Sequence, residues 1–232
     1  MTKKFLIFFA AALFITAVPA FALITEGNDT KSVPDGTMVV LNLPKFNGLL
    51  ANLTNVWVKV KFEISDSVVE MDNDSTSPGT GTAKVTSAFT TFTSSATLLK
   101  DDFDTINAGD FGIAESNSFT LGPTTGDPIG QFNATLGADY AYHDFGTITK
   151  QDSGNIASIV WGSYVGAGNF QITVEASYLT GATFSGSDGY FQGSTPHGEV
   201  FAQVIYNYIP EPATIGLLSL GGLALFRKKK HR

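Results

Sequence analysis

The segment Asn55-Val56-Trp57-Val58-Lys59-Val60-Lys61-Phe62-Glu63-Ile64 alternates apolar and polar side chains over ten residues. A period of two is typical of a β-strand with one buried face and one wet face. The same alternation recurs over residues 170–178 and 200–208, and weaker versions over 37–43, 83–92, 132–136, 140–149 and 156–165. These segments are predicted to be the strands of the folded body.

Turn signals rich in Gly, Pro, Asn and Asp separate the predicted strands, for example at residues 77–79, 126–128 and 152–155. No part of the body shows sustained helical periodicity, and no internal repeat is evident. Residues 75–82 read as a long polar loop. The pattern predicts an all-β fold, a single β-sandwich of jelly-roll-like type, spanning residues 23–208.

The two ends of the chain have a different character from the body. Lys3 and Lys4 precede a short apolar segment, and Ala20-Phe21-Ala22 fits the small-x-small pattern of a signal-peptide cleavage site. Residues 1–22 are therefore predicted to form a signal peptide, helical in its apolar part, with cleavage after Ala22. An uncleaved signal anchor is the alternative reading.

At the other end, Pro210-Glu211-Pro212 is followed by a glycine-broken apolar run over residues 213–226. A helix of 14 residues spans roughly 21 Å, which is short of a bilayer core of about 30 Å. The segment is predicted to be a short transmembrane helix that is a poor permanent anchor. The basic residues that follow it are expected to stay cytoplasmic, which places the body outside. They are Arg227, Lys228, Lys229, Lys230 and Arg232.

This order of a Pro-Glu-Pro motif, an apolar run and a basic end over residues 209–232 resembles the PEP-CTERM sorting signal of exported proteins in Gram-negative bacteria. The resemblance implies recognition and removal of the tail by exosortase, a membrane transpeptidase. It also implies residence at the cell surface or in the extracellular polymer matrix, where biofilm and exopolysaccharide are formed. It says nothing about the activity of the body.

The body carries a looser resemblance. Leu41-Asn42-Leu43-Pro44-Lys45-Phe46-Asn47, followed by a long alternating strand, is similar to the opening of choice-of-anchor type E domains. Those domains are exported β-domains found with varied C-terminal anchors. The resemblance implies a fold and a location, and it implies no known activity.

Composition excludes several classes of function. Between Leu23 and Pro212 there are seven lysines, no arginine and all 21 acidic residues, which gives a net charge of −14. Such a body has little with which to neutralise phosphates, so nucleic acid is not an expected partner. The chain has no cysteine, which rules out disulfides and thiolate chemistry.

Two ligand sites are suggested by residue type. Carboxylates grouped on loops are the oxygen ligands that Ca²⁺ prefers, and the candidates are Asp72, Asp74, Asp101, Asp102 and Asp104. Turn chemistry is the alternative explanation for them. Trp57 and Trp161 are candidates for stacking on sugar rings, with ordinary packing as the alternative.

No catalytic set is legible in the sequence. His143 and His197 match no metal motif, and no nucleophile elbow is present. The sequence predicts a non-catalytic protein with a structural or adhesive role. A calcium-assisted carbohydrate-binding module of the exopolysaccharide matrix is the alternative.

Overall fold

The computed structural model describes residues 22–124, 131–133, 137–186 and 188–210, and within them it contains eleven strands and three short 3₁₀ helices. The strands are β1 (Leu23–Val33), β2 (Val39–Pro44), β3 (Leu53–Ser65), β4 (Val68–Asn73), β5 (Gly79–Ser94), β6 (Ile113–Leu121), β7 (Tyr140–Asp144), β8 (Ile148–Asn155), β9 (Asn169–Ser185), β10 (Gly189–Gly193) and β11 (His197–Tyr208). The 3₁₀ helices are Leu50–Asn52, Ala108–Phe111 and Ser158–Tyr164.

Eight of the strands form two four-stranded antiparallel sheets. Sheet I has the order β1-β11-β3-β8, and sheet II has the order β2-β9-β5-β6. Early strands pair with late strands in reverse order, β1 with β11, β2 with β9, β3 with β8 and β5 with β6. A long hairpin rolled up in this way has jelly-roll connectivity. The predicted all-β class is confirmed, and the pairing order gives the sandwich its jelly-roll form.

A third sheet, with the order β10-β4-β7, extends the sandwich beyond the predicted single pair of sheets. Its three strands continue β11, β3 and β8 across a bend, in the same lateral order. At the bend Asp66 has φ 59°, a left-handed conformation that Asp tolerates better than most residues. The small sheet closes over a second apolar cluster, formed by Val69, Met71, Ala83 and Leu121.

The main core lies between sheets I and II and follows the alternation of the sequence. On β3 the side chains of Val56, Val58, Val60, Phe62 and Ile64 are fully buried. β11, next to β3 in sheet I, contributes a similar row of buried side chains. β9, in the facing sheet II, contributes another. Each such side chain contributes about 1.5–3 kcal/mol of burial free energy, so three long alternating strands define most of the core.

Polar side chains cover the exposed edges of both sheets. On the sheet II edge, the backbone N–H of Asn42 in β2 donates to Asp29 Oδ2 of β1 at 2.8 Å. On the sheet I edge, Lys100 Nζ lies 3.0 Å from Asp152 Oδ2 of β8. An unpaired strand edge is a template for aggregation, and charged groups of this kind protect it.

Several predicted elements differ from those observed. Residues 156–165 were expected to form a strand, but the 3₁₀ helix Ser158–Tyr164 occupies this segment, and its side chains Val160, Trp161 and Tyr164 pack on the main core from one short turn of chain. Residues 152–155 were expected to form a turn, but they belong to edge strand β8. The predicted strand 140–149 is divided into β7 and β8 at the bend, and β5 begins at Gly79, inside the predicted loop 75–82.

Some predictions lie outside the described residues. These are the signal helix, residues 134–136 of one weak strand, and the short C-terminal transmembrane helix. In the part of the chain that the structure describes, no helix has both the length and the apolar character needed to cross a membrane.

Candidate functional site: the C-terminal junction and the open sheet face

The folded body joins the Pro-Glu-Pro motif without a spacer. Tyr208 ends β11 and is paired with Leu23, the first residue of β1, so both strands meet at one end of the sandwich, here called the base. Beyond β11 the backbone N–H of Ile209 donates to the carbonyl oxygen of Asn52 at 2.8 Å. Pro210, the first residue of the motif, is buried. The sorting motif therefore begins while the chain is still part of the folded body.

An open cleft of about 490 Å³ lies at the base and includes this junction. The base cleft is lined by Leu23, Thr25, Lys45, Phe46, Asn47, Gly48, Asn52, Tyr208 and Pro210. The rings of Phe46 and Tyr208 form its apolar wall, with centroids 4.9 Å apart. Lys45 is the one charged side chain among these lining residues, so the base differs from the strongly acidic body around it.

Backbone hydrogen bonds hold the loop that carries Phe46. The Phe46 N–H donates to the carbonyl oxygen of Tyr164 at 2.8 Å, and the Gly166 N–H donates to the carbonyl oxygen of Phe46 at 3.0 Å. A Cβ at Gly48 would come within 2.6 Å of the Phe46 ring, so the close turn requires glycine there. These contacts fix the aromatic wall of the base cleft.

Buried tyrosine hydroxyls complete this scaffold. The hydroxyl of Tyr164 donates to the carbonyl oxygen of Thr97 at 2.8 Å. Burial raises the pKa of the Tyr164 phenol and that of the Tyr206 phenol well above the ordinary value. Both phenols therefore stay protonated near neutral pH and act as hydrogen-bond donors.

Few of the predicted processing residues fall within the described part of the chain. Ala22 is exposed and immediately precedes β1, and Pro210 is buried at the base. Ala20, Glu211, Pro212 and the basic residues Arg227, Lys228, Lys229, Lys230 and Arg232 lie outside the described residues.

Trp57 lies half-buried on the outer face of sheet I, as the alternation of β3 predicts. Residues directly opposite in neighbouring strands share a face, so the pairing register defines the surroundings of Trp57. Three consecutive cross-strand rows form the open face: Asn155, Trp57 and Ile205; Ser153, Lys59 and Gln203; and Gln151, Lys61 and Phe201. The open face thus combines two half-buried aromatic rings with amides, a hydroxyl and two ammonium groups.

Charged groups on and beside the open face are partly paired. Lys61 Nζ lies 2.7 Å from Glu63 Oε2 and 6.0 Å from the ring centroid of Phe201. Thr149 donates its hydroxyl to Glu63 Oε1 at 2.9 Å. The hydrogen bond from Lys61 is the main cause that lowers the pKa of Glu63. Lys61 is therefore oriented along the sheet, and Glu63 is held ionised near neutral pH.

Trp161 has a different environment from Trp57. It lies in the 3₁₀ helix Ser158–Tyr164, and its indole N–H donates to the carbonyl oxygen of Ile156 at 2.7 Å. Its half-buried ring packs against the main core. The structure gives Trp161 a packing role and does not place it in the rows of the open face.

The predicted calcium ligands lie in two separate environments. Asp72 and Asp74 are buried at the end of β4, and Asp72 Oδ2 accepts a hydrogen bond from the Asn133 N–H at 2.8 Å. The other group, Asp101, Asp102 and Asp104, follows Lys100. Across the described ranges, no three His, Cys, Asp or Glu side chains are grouped so that they could hold one metal ion. The structure does not assemble the five predicted carboxylates into one ligand set.

Lys100 is an ion-pair partner of one of these predicted ligands, Asp104. Its Nζ lies 2.7 Å from Asp104 Oδ2 and 3.0 Å from Asp152 Oδ2. The hydrogen bond to Asp104 is the main cause that raises the pKa of Lys100, and the same contact lowers the pKa of Asp104. The Lys100 ammonium group thus neutralises Asp104 and Asp152.

The two histidines of the body have structural contacts. His143 Nδ1 lies 3.2 Å from Asn117 Nδ2, and its ring lies between Phe119 and Phe145, with centroids 5.5 and 4.4 Å away. His197 Nε2 lies 3.5 Å from the Ser32 hydroxyl. These contacts link neighbouring strands at half-buried His143 and at exposed His197.

Comparison with known proteins identifies the sorting motif at the C-terminal end. Residues 209–230 match the PEP-CTERM protein-sorting motif. No curated protein matches the chain. The choice-of-anchor type E resemblance of the body is not shown by any of these comparisons.

Among solved structures, desmodium yellow mottle tymovirus is similar over 84% of this chain and 91% of that chain, at 7% identity and a TM-score of 0.21. Infectious bursal disease virus, Gx strain, is similar over 90% of this chain and 48% of that chain, at 10% identity and a TM-score of 0.18. TM-scores this low carry no argument about fold or function. The sorting motif indicates an exported protein of Gram-negative bacteria that exosortase directs to the cell surface.

Proposed function

We propose that this chain is a non-catalytic structural or adhesive protein of the cell surface or extracellular matrix, with exosortase as its processing partner. The observation that carries the proposal is the junction, where the last core strand, β11, runs directly into the matched motif at residues 209–230. A signal peptide over residues 1–22 and the apolar run after Pro212 would hold the precursor in the inner membrane in transit.

The position of the base supports one orientation of the domain at the surface. Leu23 and Tyr208 are paired, so both connections to the membrane-directed ends leave from the same end of the sandwich. β3 has 13 residues and at about 3.3 Å per residue is roughly 43 Å long. In the proposed orientation the bend and the small sheet β10-β4-β7 would face away from the membrane.

Alanine replacement of Pro210, Glu211 and Pro212 together tests the proposal. In the native host, we expect the wild-type chain to lose its C-terminal tail and to appear in the surface or matrix fraction. The triple variant is expected to stay membrane-associated with an intact tail. Mass spectrometry of the C-terminus distinguishes the two forms, and a triple variant that is processed and sorted like wild type contradicts the proposal.

A carbohydrate-binding role is the second candidate, and the open face favours it. Half-buried Trp57 and Phe201 offer flat rings for stacking, while Gln203, Gln151 and Lys59 offer hydrogen-bond donors beside them. Retention on matrix polysaccharide is expected to fall for Trp57→Ala. The matched control is Leu179→Ala, a 67% exposed apolar residue on β9 of the other sheet. Equal retention of both variants, or none for wild type, counts against this role.

Calcium is tested separately from sugar binding. An ion that binds only the folded protein raises the melting midpoint once its free concentration exceeds its dissociation constant. Melting with excess Ca²⁺ and with chelator is compared for wild type, Asp72→Asn and Asp104→Asn. A Ca²⁺-dependent midpoint that only one variant loses assigns the ion to that carboxylate group, and an unchanged wild-type midpoint removes calcium from the proposal.

A further inference from the structure

The short distance between the folded body and the sorting motif constrains how the processing enzyme can approach. A fully extended residue spans at most about 3.6 Å, so Pro212 lies within roughly 7 Å of buried Pro210. An enzyme that acts on peptide bonds around the motif must bring its own surface to the base, or must draw residues out of β11. The two routes make different demands on the folded body.

Drawing residues out of β11 disrupts the core. β11 lies between β1 and β3 and is hydrogen-bonded to both. Near its end Val204 and Tyr206 are fully buried, and the Tyr206 hydroxyl is bonded to the carbonyl oxygen of Pro44. Exposing two such side chains costs about 1.5–3 kcal/mol each. An approach to the intact base avoids this cost.

We infer that the base cleft is a docking surface for the extracytoplasmic face of the processing enzyme. This inference rests on the proposed function and adds a contact outside the sorting signal. Phe46 and Tyr208 would receive an apolar side chain of the enzyme, and Lys45 would receive a carboxylate.

Charge reversal at the base tests this contact in the full-length chain, in cells that contain the enzyme. Lys45→Glu is expected to slow conversion of precursor to processed form by about tenfold in a pulse-chase experiment, because charge complementarity governs association rates. The matched control is Lys84→Glu, an exposed lysine on β5 in sheet II. It is expected to be processed at the wild-type rate. The thermal midpoints of both variants are measured to show that each is folded.

A flexible spacer distinguishes docking at the base from release of β11 as the step that limits processing. About six Gly and Ser residues inserted between Ile209 and Pro210 add roughly 13 Å of mean reach. With the spacer, Lys45→Glu is expected to be processed at the rate of the spacer chain alone. Equal rates for Lys45→Glu, Lys84→Glu and wild type at the natural junction overturn the inference. The inference is also overturned if the spacer chain is processed faster than wild type while Lys45→Glu has no effect. In that case the release of β11, and not docking at the base, limits the rate of processing.

The triple alanine variant of Pro210, Glu211 and Pro212 keeps the two proposals apart. If it remains unprocessed while Lys45→Glu is processed normally, the docking surface is wrong and the proposed function stands. If the triple variant is processed normally, the proposed function itself fails.

Discussion

The hydroxyl of Tyr206 donates a hydrogen bond to the carbonyl oxygen of Pro44 at 2.8 Å, which links β11 of sheet I to the end of β2 in sheet II. Both partners adjoin the base cleft, because the cleft residues Phe46 and Tyr208 each lie two residues further along the chain. The same contact therefore ties the two sheets together and positions the wall beside the sorting motif.

Replacing Tyr206 with Phe removes this hydroxyl from the half-buried Pro44 carbonyl oxygen. We expect the free energy of unfolding to fall by about 1–2 kcal/mol, because the hydrogen bond is lost and a partly buried acceptor is left without this donor. Urea denaturation measures the change. Tyr190→Phe, on a 45% exposed ring, is the control and is expected to be close to neutral. A Tyr206→Phe variant as stable as wild type contradicts the prediction.

Stability is expected to fall steeply in alkali. Burial raises the pKa of the phenols of Tyr164, Tyr178 and Tyr206 above the unfolded value of about 10. The unfolded chain then loses these protons first, so the stabilisation is complete below about pH 10 and is lost as the pH rises above it. Urea unfolding across this range, with tyrosinate absorbance recorded, provides the measurement. Ionisation of all three phenols while the fold stays intact would show the prediction to be wrong.

Gly198 in β11 is required by close packing. A Cβ at this position would overlap the hydroxyl oxygen of Tyr178, which donates to the carbonyl oxygen of Val33 at 2.6 Å. Gly198→Ala is expected to destabilise the fold by about 1–3 kcal/mol, as overpacking does. Gly162→Ala is the control, since a Cβ there meets no atom within 4 Å. Thermal melting of both variants decides the matter, and equal midpoints would refute the packing argument.

Asp29 is expected to protect a sheet edge as well as to stabilise it. Its Oδ2 accepts from the Asn42 N–H, and its Oδ1 accepts from the Thr30 N–H at 2.9 Å. Asp29→Ala is expected to lower the free energy of unfolding by about 1–2 kcal/mol and to increase light scattering on storage. Asp29→Asn keeps an acceptor oxygen and is expected to lose less. If both variants behave like wild type, the edge needs no such protection.

The sequence predicts the central strands of sheets I and II, but it misses β1 and β6 at their edges and β4 and β10 in the small sheet. β3, β9 and β11 each have one face in the core and one in water, so apolar and polar residues alternate along their sequences and reveal the strands. β1 and β6 are edge strands with mostly exposed side chains, and they were missed. Their place is set by pairing with β11 and β5, which is a property of the topology.

The candidate sites divide in the same way. The motif around Pro210 and the outward position of Trp57 are local features that a single segment reveals. The base cleft combines Leu23, Phe46 and Tyr208, which the jelly-roll connectivity brings together from distant parts of the chain. For Trp161 the local pattern is misleading. It predicts a strand with an open face, whereas the segment forms a 3₁₀ helix that packs on the core.

The position of β11 determines how the protein bears mechanical load. A chain tethered beyond Tyr208 and gripped at its distal end is pulled along the axis of β11, which has a neighbour on each side. Ladder hydrogen bonds of antiparallel strands run perpendicular to the strands, so such a pull shears them together and does not peel them one at a time. The tension is then shared across two ladders, and we expect β1, β11 and β3 to yield together under such a pull.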